Sequence, residues 1–196
     1  MPNIHVSKMH GKLEELYAIS TNTVTNDFCQ KMNASNKDNQ ICRICYSHNM
    51  LKSYRKNMQP ALQRNSDALS QSILDDADIP FYIHAFMRIN AHGELINDTH
   101  FRNIVLIARK NPHCTFALWT KRKDIVNRNS HDLPSNLILV YSNPTINKVM
   151  YKPPRHFHKV FNNVEYEHKT DEQNCTGQKC IDCMLCYNHN DVSVII

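Results

Sequence analysis

The sequence predicts an α/β fold in which a parallel sheet forms an open, partial βα barrel of about four to six strands. Short apolar runs alternate with segments of helical periodicity, which is typical of repeated right-handed βαβ units. The central run is apolar on both faces, as expected for a strand covered on both sides. The 196 residues are too few for a closed eight-stranded barrel, which needs about 250.

We expect a single domain over residues 1–196, with an α/β core over 12–166. The predicted strands are residues 16–20, 81–89, 114–119 and 137–141, with residues 160–166 as a further candidate. The predicted helices are residues 46–74 with a restart at Pro60, a helix capped by Asp98 or Thr99, and a short helix opened by residues 120–123. The cysteine-rich tail, 167–196, is expected to pack on this core.

The sequence also predicts a buried helical stripe, the loop that carries Cys29 and the end of the fourth strand. Leu62, Leu69 and Ile73 have helical spacing and are expected to form a buried stripe. Cys29 is placed in a polar loop over residues 21–40, and the fourth strand is expected to stop at Asn143-Pro144.

The central strand, 81–89, ends in the turn His92-Gly93-Glu94. Open α/β folds bind small ligands at the carboxyl ends of their strands. A glycine beside a carboxylate at such a strand end, in a chain with three glycines, makes Gly93 and Glu94 candidate ligand-binding residues. Arg88, Lys121 and Arg122 lie near strand ends and are candidates for holding an anionic ligand.

Charge and hydropathy restrict the partners. The net charge of +5 is spread along the chain, so nucleic acid is a possible partner without a concentrated basic patch. The first residues do not have the pattern of a signal peptide, and the longest apolar runs, 104–108 and 137–141, are far shorter than a membrane span. We expect a cytoplasmic protein with no membrane partner; the substrate, any host factor and the oligomeric state stay open.

Grouped cysteines in a reducing compartment indicate metal binding or redox chemistry. The C-terminal group has the pattern Cys-x4-Cys-x2-Cys-x2-Cys and consists of Cys175, Cys180, Cys183 and Cys186. Consecutive two-residue steps are typical of iron–sulfur ligands, whereas structural zinc favours two separated Cys-x2-Cys pairs. The pattern therefore favours an iron–sulfur cluster, with zinc as the alternative.

The N-terminal group is Cys29, Cys42 and Cys45. Three thiolates suit either a zinc site completed by His48 or a four-iron cluster with one iron open to a ligand. The segments 42–49 and 183–190 share the pattern Cys-x2-Cys-Tyr-x-His-Asn, which suggests equivalent roles for the two groups. His48 and His189 are interpreted as hydrogen-bond donors beside the ligands. Cys114, in an apolar run, is expected to be a buried core thiol.

Several segments together resemble the gene product 88-like proteins of bacteriophages. They are residues 18–22 (Ala-Ile-Ser-Thr-Asn), 26–29 (Asn-Asp-Phe-Cys), 41–46 (Ile-Cys-Arg-Ile-Cys-Tyr), 62–65 (Leu-Gln-Arg-Asn), 88–97, 111–112 (Asn-Pro), 116–122 (Phe-Ala-Leu-Trp-Thr-Lys-Arg) and the final Cys-x2-Cys-x2-Cys-Tyr. This resemblance implies a phage protein in the cytoplasm of an infected bacterial host. It implies no activity.

The order of parts also resembles, more distantly, the radical S-adenosylmethionine (SAM) enzymes. In that family three cysteines follow the first strand of a barrel, and a Gly-Gly-Glu segment follows the second strand. Here the N-terminal cysteines follow the first predicted strand, and His92-Gly93-Glu94 follows the second, with His92 in place of the first glycine and wider spacing between Cys29 and Cys42. The resemblance implies a 4Fe–4S cluster on the N-terminal cysteines and SAM bound beside Glu94.

Three hypotheses follow. The first is a phage iron–sulfur protein, with a radical-SAM-like enzyme as its catalytic form and a second cluster on the C-terminal cysteines. The second is a zinc-stapled factor that binds nucleic acid or a host protein without catalysis. The third is a structural or host-takeover factor in which a cluster only stabilises the fold. No catalytic residue is assigned, and the chain has no Gly-rich phosphate loop.

Overall fold

The computed structural model of the protein describes residues 4–196 and contains one seven-stranded sheet. Its strands are β1 (Val6–Lys8), β2 (Tyr17–Ile19), β3 (Phe86–Ile89), β4 (Thr115–Thr120), β5 (Leu137–Ile146), β6 (Lys159–Asn163) and β7 (Val194–Ile195). The strands lie in the sheet in their sequence order, and each pair from β2 to β7 is parallel. Only β1 runs antiparallel, beside β2.

The expected α/β class and parallel sheet are thereby confirmed. The sheet has seven strands instead of about four to six. Both additional strands are short edge strands, β1 and β7, which the sequence analysis missed. The sheet is open, with β1 and β7 at its edges.

The α-helices join successive strands or follow them. They are α1 (Asp27–Asn33), α2 (Tyr46–Lys52), α3 (Gln59–Ser70), α4 (Asp98–Lys110), α5 (Lys123–Asn129) and α6 (Cys180–Cys183). The restart at Pro60 is confirmed, because this proline lies in the first turn of α3, where no backbone N–H is needed. Helix α4 begins one residue earlier than expected, since the Asn97 side chain caps it by accepting from the His100 N–H.

One face of the sheet, the helix face, is covered by α3, α4 and α5. Alternate strand residues such as Met87, Ile89 and Leu118 point into this layer and pack against Leu69 and Phe101. Cys114 is fully buried in the same core, as expected. Most of the apolar burial in the molecule lies on this face.

The opposite face, the cysteine face, is covered by the C-terminal tail. Ala117 on β4 is small enough to admit the ring of Tyr187, which is buried together with Leu16. Cys180 and Cys186 pack on this small cluster. The tail therefore fills one part of the cysteine face and leaves the rest open.

The central strand is shorter than expected, because it begins at Phe86. The expectation that residues 81–85 form a buried strand is wrong: Phe81 is 66% exposed and Ile83 is 85% exposed. The Asn111 side chain accepts from the Tyr82 N–H and donates to Pro80 O, and hydrogen bonding to β4 begins only at Ala85, whose carbonyl accepts from the Thr115 N–H.

Three further expectations are corrected. Cys29 lies within helix α1 and not in a loop, because Asn26 caps that helix. Ile73 follows the end of α3 and is 48% exposed, so it does not join the buried stripe. Strand β5 continues through Pro144, where its register with β6 shifts; a proline, which lacks an N–H, is tolerated at such an irregularity.

None of the helices within residues 4–196 has the length and hydropathy required to cross a membrane.

Candidate metal centre

A cavity of about 660 Å³ opens at the carboxyl ends of the parallel strands. Its wall includes the His92-Gly93-Glu94 turn and six of the eight cysteines, which are Cys29, Cys42, Cys45, Cys175, Cys180 and Cys186. Because the N-terminal and C-terminal cysteines line the same cavity, the topology brings together residues about 150 positions apart in the chain. Cys183 is the one member of the two groups that is not on this wall.

The N-terminal cysteines are positioned by short helical segments. Cys29 lies in the first turn of α1, where its N–H donates to Asn26 Oδ1 (3.1 Å). Cys42 lies in the 3₁₀ helix Ile41–Ile44, and Asn33 Nδ2 donates to its carbonyl (2.8 Å). Cys45 immediately precedes α2. The N-terminal ends of three successive helical segments thus place the three cysteines on the wall of one cavity.

The same segment is hydrogen-bonded to the turn after β3. Asn26 Nδ2 donates to Glu94 O (3.0 Å), and the Gly93 N–H donates to Thr23 Oγ1 (2.8 Å). Gly93 has φ +78°, and a Cβ at this position would lie 2.1 Å from Thr21 Oγ1. The glycine is therefore required by the close approach of the turn to the chain that follows β2. The turn and the N-terminal cysteines form one connected unit.

Glu94 is 4% exposed, so it is not a surface carboxylate. Its Oε1 accepts from the Leu95 N–H (2.8 Å) and from the Thr120 hydroxyl, and its Oε2 accepts from the Lys121 N–H (2.8 Å). Burial nevertheless raises the pKa of Glu94. The carboxylate joins the end of β3 to the end of β4 while also lining the cavity.

His92 and helix α2 complete this wall. His92 Nδ1 is 2.9 Å from Ser47 Oγ, and Ser47 Oγ is 2.6 Å from Thr23 Oγ1. The Tyr46 hydroxyl donates to Ala91 O (2.5 Å), and its ring packs against His92 at 5.9 Å between centroids. Burial lowers the pKa of His92 to about 4, so the imidazole is neutral near pH 7.

The C-terminal cysteines are held by the tail and by strand β7. The Cys175 N–H donates to Ile196 O (2.9 Å), which places this residue beside the last strand. Helix α6 carries Cys180 and Cys183 and ends at Met184, whose φ of +54° turns the chain towards Cys186. Cys183 Sγ accepts from Gln178 Nε2 at 3.4 Å.

The two Cys-x2-Cys-Tyr-x-His-Asn segments are only partly equivalent in space. Tyr46 lines the cavity and Tyr187 is buried on the cysteine face. His48 also lines the cavity, and its Nδ1 is buried without a hydrogen-bond partner. His189 instead approaches Ser135 O (2.8 Å) and packs against His158, away from the cavity. The tyrosines and the histidines of the two segments thus lie in different environments despite the similarity of sequence.

The buried thiols have raised pKa values. Burial raises the pKa of Cys29, Cys42 and Cys180, and it raises the pKa of Cys186 to about 12. Positive neighbours oppose this effect. Lys121 acts on Cys29 and Cys42, Lys12 and then Arg88 act on Cys180, and Arg88 acts on Cys186. A bound metal ion would lower these pKa values further, because only the thiolate is a ligand.

Six thiols line the cavity, and among residues 4–196 no three cysteine thiols lie all within 4.8 Å of one another. A single tetrahedral zinc ion, with Zn–S of about 2.3 Å, holds its sulfurs about 3.8 Å apart. Within residues 4–196, the only group of three or more potential ligands whose atoms all lie within 4.8 Å of one another is the exposed set Glu165, Glu167 and His168. The cysteines are thus spaced more widely than a zinc site requires.

Basic side chains contribute to the cavity as well. Arg88 on β3 and Lys121 after β4 both line it. Arg122 does not: its guanidinium pairs with Asp124 and donates to Leu95 O. Trp119 and Phe161, which were not predicted as site residues, lie on the same wall with their ring centroids 4.7 Å apart. The period-two alternation of Ala117, Trp119 and Lys121 along β4 could have identified the tryptophan.

Comparison with known proteins places the chain in a family. A family model described as gene product 88 matches residues 7–191. The chain belongs to the gene product 88 family. Nearly the whole described fold, including both cysteine groups, falls within the match, and the resemblance to these phage proteins is confirmed. No curated protein and no solved structure matches the chain at a significant level.

Proposed function

We propose that this member of the gene product 88 family is an iron–sulfur protein whose two cysteine groups face a common substrate cavity. One observation carries the proposal: six cysteines from opposite ends of the chain line a single cavity at the carboxyl ends of a parallel sheet. Cys29, Cys42 and Cys45 would hold one four-iron cluster, and the C-terminal group would hold the second.

The residues present fit such clusters. All the proposed ligands are thiols, the donor that iron–sulfur clusters use. The wide spacing of the thiols suits a polynuclear cluster better than one zinc ion. The basic groups Arg88 and Lys121 supply positive charge beside the two thiol groups, which favours thiolates and anionic clusters.

The catalytic form of the proposal is a radical-SAM-like enzyme. A low-potential cluster with an open iron supplies the electron for reductive cleavage of a sulfonium. Three ligands on the N-terminal side are consistent with an open iron, and the buried Glu94 places a carboxylate beside that group. In this form the turn at Gly93 and Glu94 would orient SAM, and the cavity would exclude water from the reacting groups.

A zinc site remains the second candidate because of His48. Its unpartnered Nδ1 lies on the cavity wall, where it could complete a Cys3His site with Cys29, Cys42 and Cys45. In that case the tail and the N-terminal segment would be stapled by zinc, and the protein would act by binding nucleic acid or a host protein.

Metal analysis of anaerobically purified protein separates the two candidates. The iron–sulfur proposal expects iron and acid-labile sulfide with visible absorption, and it fails if the protein holds stoichiometric zinc without sulfide. The single tryptophan, Trp119, lies on the cavity wall and provides a second readout. Cluster loading should quench its fluorescence, whereas zinc, which does not absorb visible light, should leave the emission largely intact.

Cys42→Ala should remove one cluster and about half of the iron. Cys114→Ala is the matched control, since Cys114 is buried outside the cavity and its loss should leave the iron content unchanged. Loss of all iron in Cys42→Ala would mean that the two groups build one shared site. For the catalytic form, dithionite-reduced protein should convert SAM to 5′-deoxyadenosine, and absence of this product from fully loaded protein would reject it.

A further inference from the structure

Five cations line the cavity, and among residues 4–196 none of them takes part in an ion pair; they are Lys8, Lys12, Arg55, Arg88 and Lys121. Arg88 points from β3 and Lys121 follows β4. Lys121 Nζ donates to Ser142 Oγ at 3.1 Å, a neutral acceptor. Cations that surround a cavity are usually paired or fully solvated, so Arg88 and Lys121 are available to a ligand.

Unsatisfied donors lie beside them. The guanidinium carbon of Arg88 is 4.2 Å from the centroid of the Trp119 ring, an arrangement that fixes the plane of the guanidinium. Arg88 Nε and Trp119 Nε1 are both buried without a hydrogen-bond partner. Buried donors without acceptors cost free energy, and Arg88 has no hydrogen bond through Nε that would compete with a ligand for its charge.

Glu94, the acidic residue on the cavity wall, does not form an ion pair with Arg88 or Lys121. Glu94 already accepts hydrogen bonds from Thr120 and from two backbone N–H groups. Its charge interacts with Lys121 over a longer range, without an ion pair. The positive charge of Arg88 acts on Cys180 and Cys186, and that of Lys121 acts on Cys29 and Cys42. Both cations line the same cavity as the two cysteine groups.

We propose that Arg88 and Lys121 bind the carboxylate or phosphate of a small anionic substrate in the cavity that both cysteine groups line. Arg88 supplies a planar fork that matches an oxyanion, and Lys121 supplies a second positive charge on the same cavity wall. A volume of about 660 Å³ is in the range of small-molecule sites. The proposal rests on the proposed function only in that the bound anion would be the substrate of a reaction at the clusters. The anion site itself requires no cluster.

Two matched pairs of probes test the charge requirement on the full chain, purified anaerobically with its metal content determined. The phosphate pair is adenosine 5′-monophosphate and adenosine, and the carboxylate pair is benzoate and benzamide. Equilibrium dialysis should show that at least one charged probe binds about tenfold more tightly than its neutral partner, because a hydrogen-bonded charge pair is worth at least that factor. The pair that discriminates identifies the oxyanion.

Variants then locate the site. Arg88→Gln should weaken binding of the charged probe by about tenfold or more, and Lys121→Gln should weaken it by a smaller factor. Lys152→Gln makes the same change of charge at an exposed position outside the cavity and should leave the affinity unchanged. Circular dichroism establishes that each variant is folded, and Lys121→Gln carries the test if Arg88→Gln does not fold.

Three results would overturn the anion site. Equal binding of charged and neutral probes would remove its basis, and equal affinities in Arg88→Gln and Lys152→Gln would show nonspecific attraction. A loss of iron in Arg88→Gln with unchanged anion affinity would mean that Arg88 only balances cluster charge. The proposed function fails separately: a protein that contains no iron and still binds the charged probe through Arg88 would keep the anion site and reject the clusters.

Discussion

The two faces of the sheet use the same strands in different ways. On the helix face, residues such as Ile89 and Leu139 are fully buried in a continuous apolar core. On the cysteine face, the alternate residues include Arg88 and Trp119, and the buried apolar cluster is small. The period of two along each strand makes this division possible. The helix face therefore supplies the stability of the fold, and the cysteine face depends on polar contacts and, in our proposal, on metal.

The largest effect is expected on the helix face. Phe101→Ala removes a fully buried ring from the core and should lower the free energy of unfolding by about 3–5 kcal/mol, with or without metal. Ile83→Ala is the control, since Ile83 is 85% exposed and its truncation should change stability by less than about 0.5 kcal/mol. Urea unfolding measures both. Similar losses in the two variants would show that the helix face is not the main source of stability.

The next effect concerns the turn that supports the cysteine face. Gly93→Ala combines a positive φ with a Cβ 2.1 Å from Thr21 Oγ1 and 2.5 Å from Thr21 O, and should cost about 2–4 kcal/mol. Gly11→Ala is a matched control, because Gly11 has φ +65° but no atom within 4 Å of the added Cβ. It should cost about 1–2 kcal/mol from the backbone alone. Thermal or urea unfolding gives the difference, which isolates the contact with Thr21; equal costs would contradict the close approach.

A smaller effect is expected from pH. His100 is fully buried, its Nδ1 accepts from the Ile96 N–H (3.2 Å), and burial lowers its pKa to about 3. The unfolded chain takes up this proton first, near pH 6.5, so the stability is present above that value and is lost as the pH falls towards 3. This residue should make the protein about 2 kcal/mol less stable at pH 5 than at pH 7.

The variant His100→Gln keeps an acceptor for the Ile96 N–H and removes the titration. Urea unfolding at pH 5 and pH 7 should show a reduced pH dependence in this variant, with the part due to the buried His92 retained. His131→Gln, at an exposed position, should leave the dependence as in the natural chain. An unchanged slope in His100→Gln would mean that His100 is already protonated or exposed.

The sequence predicted the parts of the fold where composition and periodicity agree. The run Thr115–Thr120 is a strand, and the segment after Asn97 is an amphipathic helix, because each has enough residues to show its period. The meeting of Cys29, Cys42 and Cys45 with the turn at Gly93 was also predictable, since parallel strands in sequence order bring their carboxyl ends to one edge.

The failures have local causes. Strands β1 and β7 have three and two residues, too few to show a period. Residues 81–85 have the composition of a strand, but the Tyr82 N–H donates to a distant side chain, Asn111, instead of to a neighbouring strand. We expected the cysteine-rich tail to pack on the core, but the contact that holds Cys180 and Cys186 there, Tyr187 beside Ala117, has no signal in the sequence.

The smallest effect on the free energy of unfolding is expected from a buried lysine that holds the C-terminal tail. Lys159 is 2% exposed, and its Nζ donates to Asn190 Oδ1 (2.7 Å) and Val192 O (2.7 Å), which ties the tail to β6. Burial lowers the pKa of this lysine, so the cost of burying the charge offsets much of the gain from the two hydrogen bonds. Lys159→Met should therefore lower the free energy of unfolding by only about 1 kcal/mol.

The same variant should have a clear local effect. Hydrogen exchange of the amides around Val192 and in β7 should become faster in Lys159→Met, while exchange in α4 on the helix face stays unchanged. Lys152→Met, at an exposed site, is the control and should change neither region. Faster exchange in α4 as well would mean that the tail and the helix face unfold together. In that case the division of the sheet into a stabilising face and a metal-dependent face would be wrong.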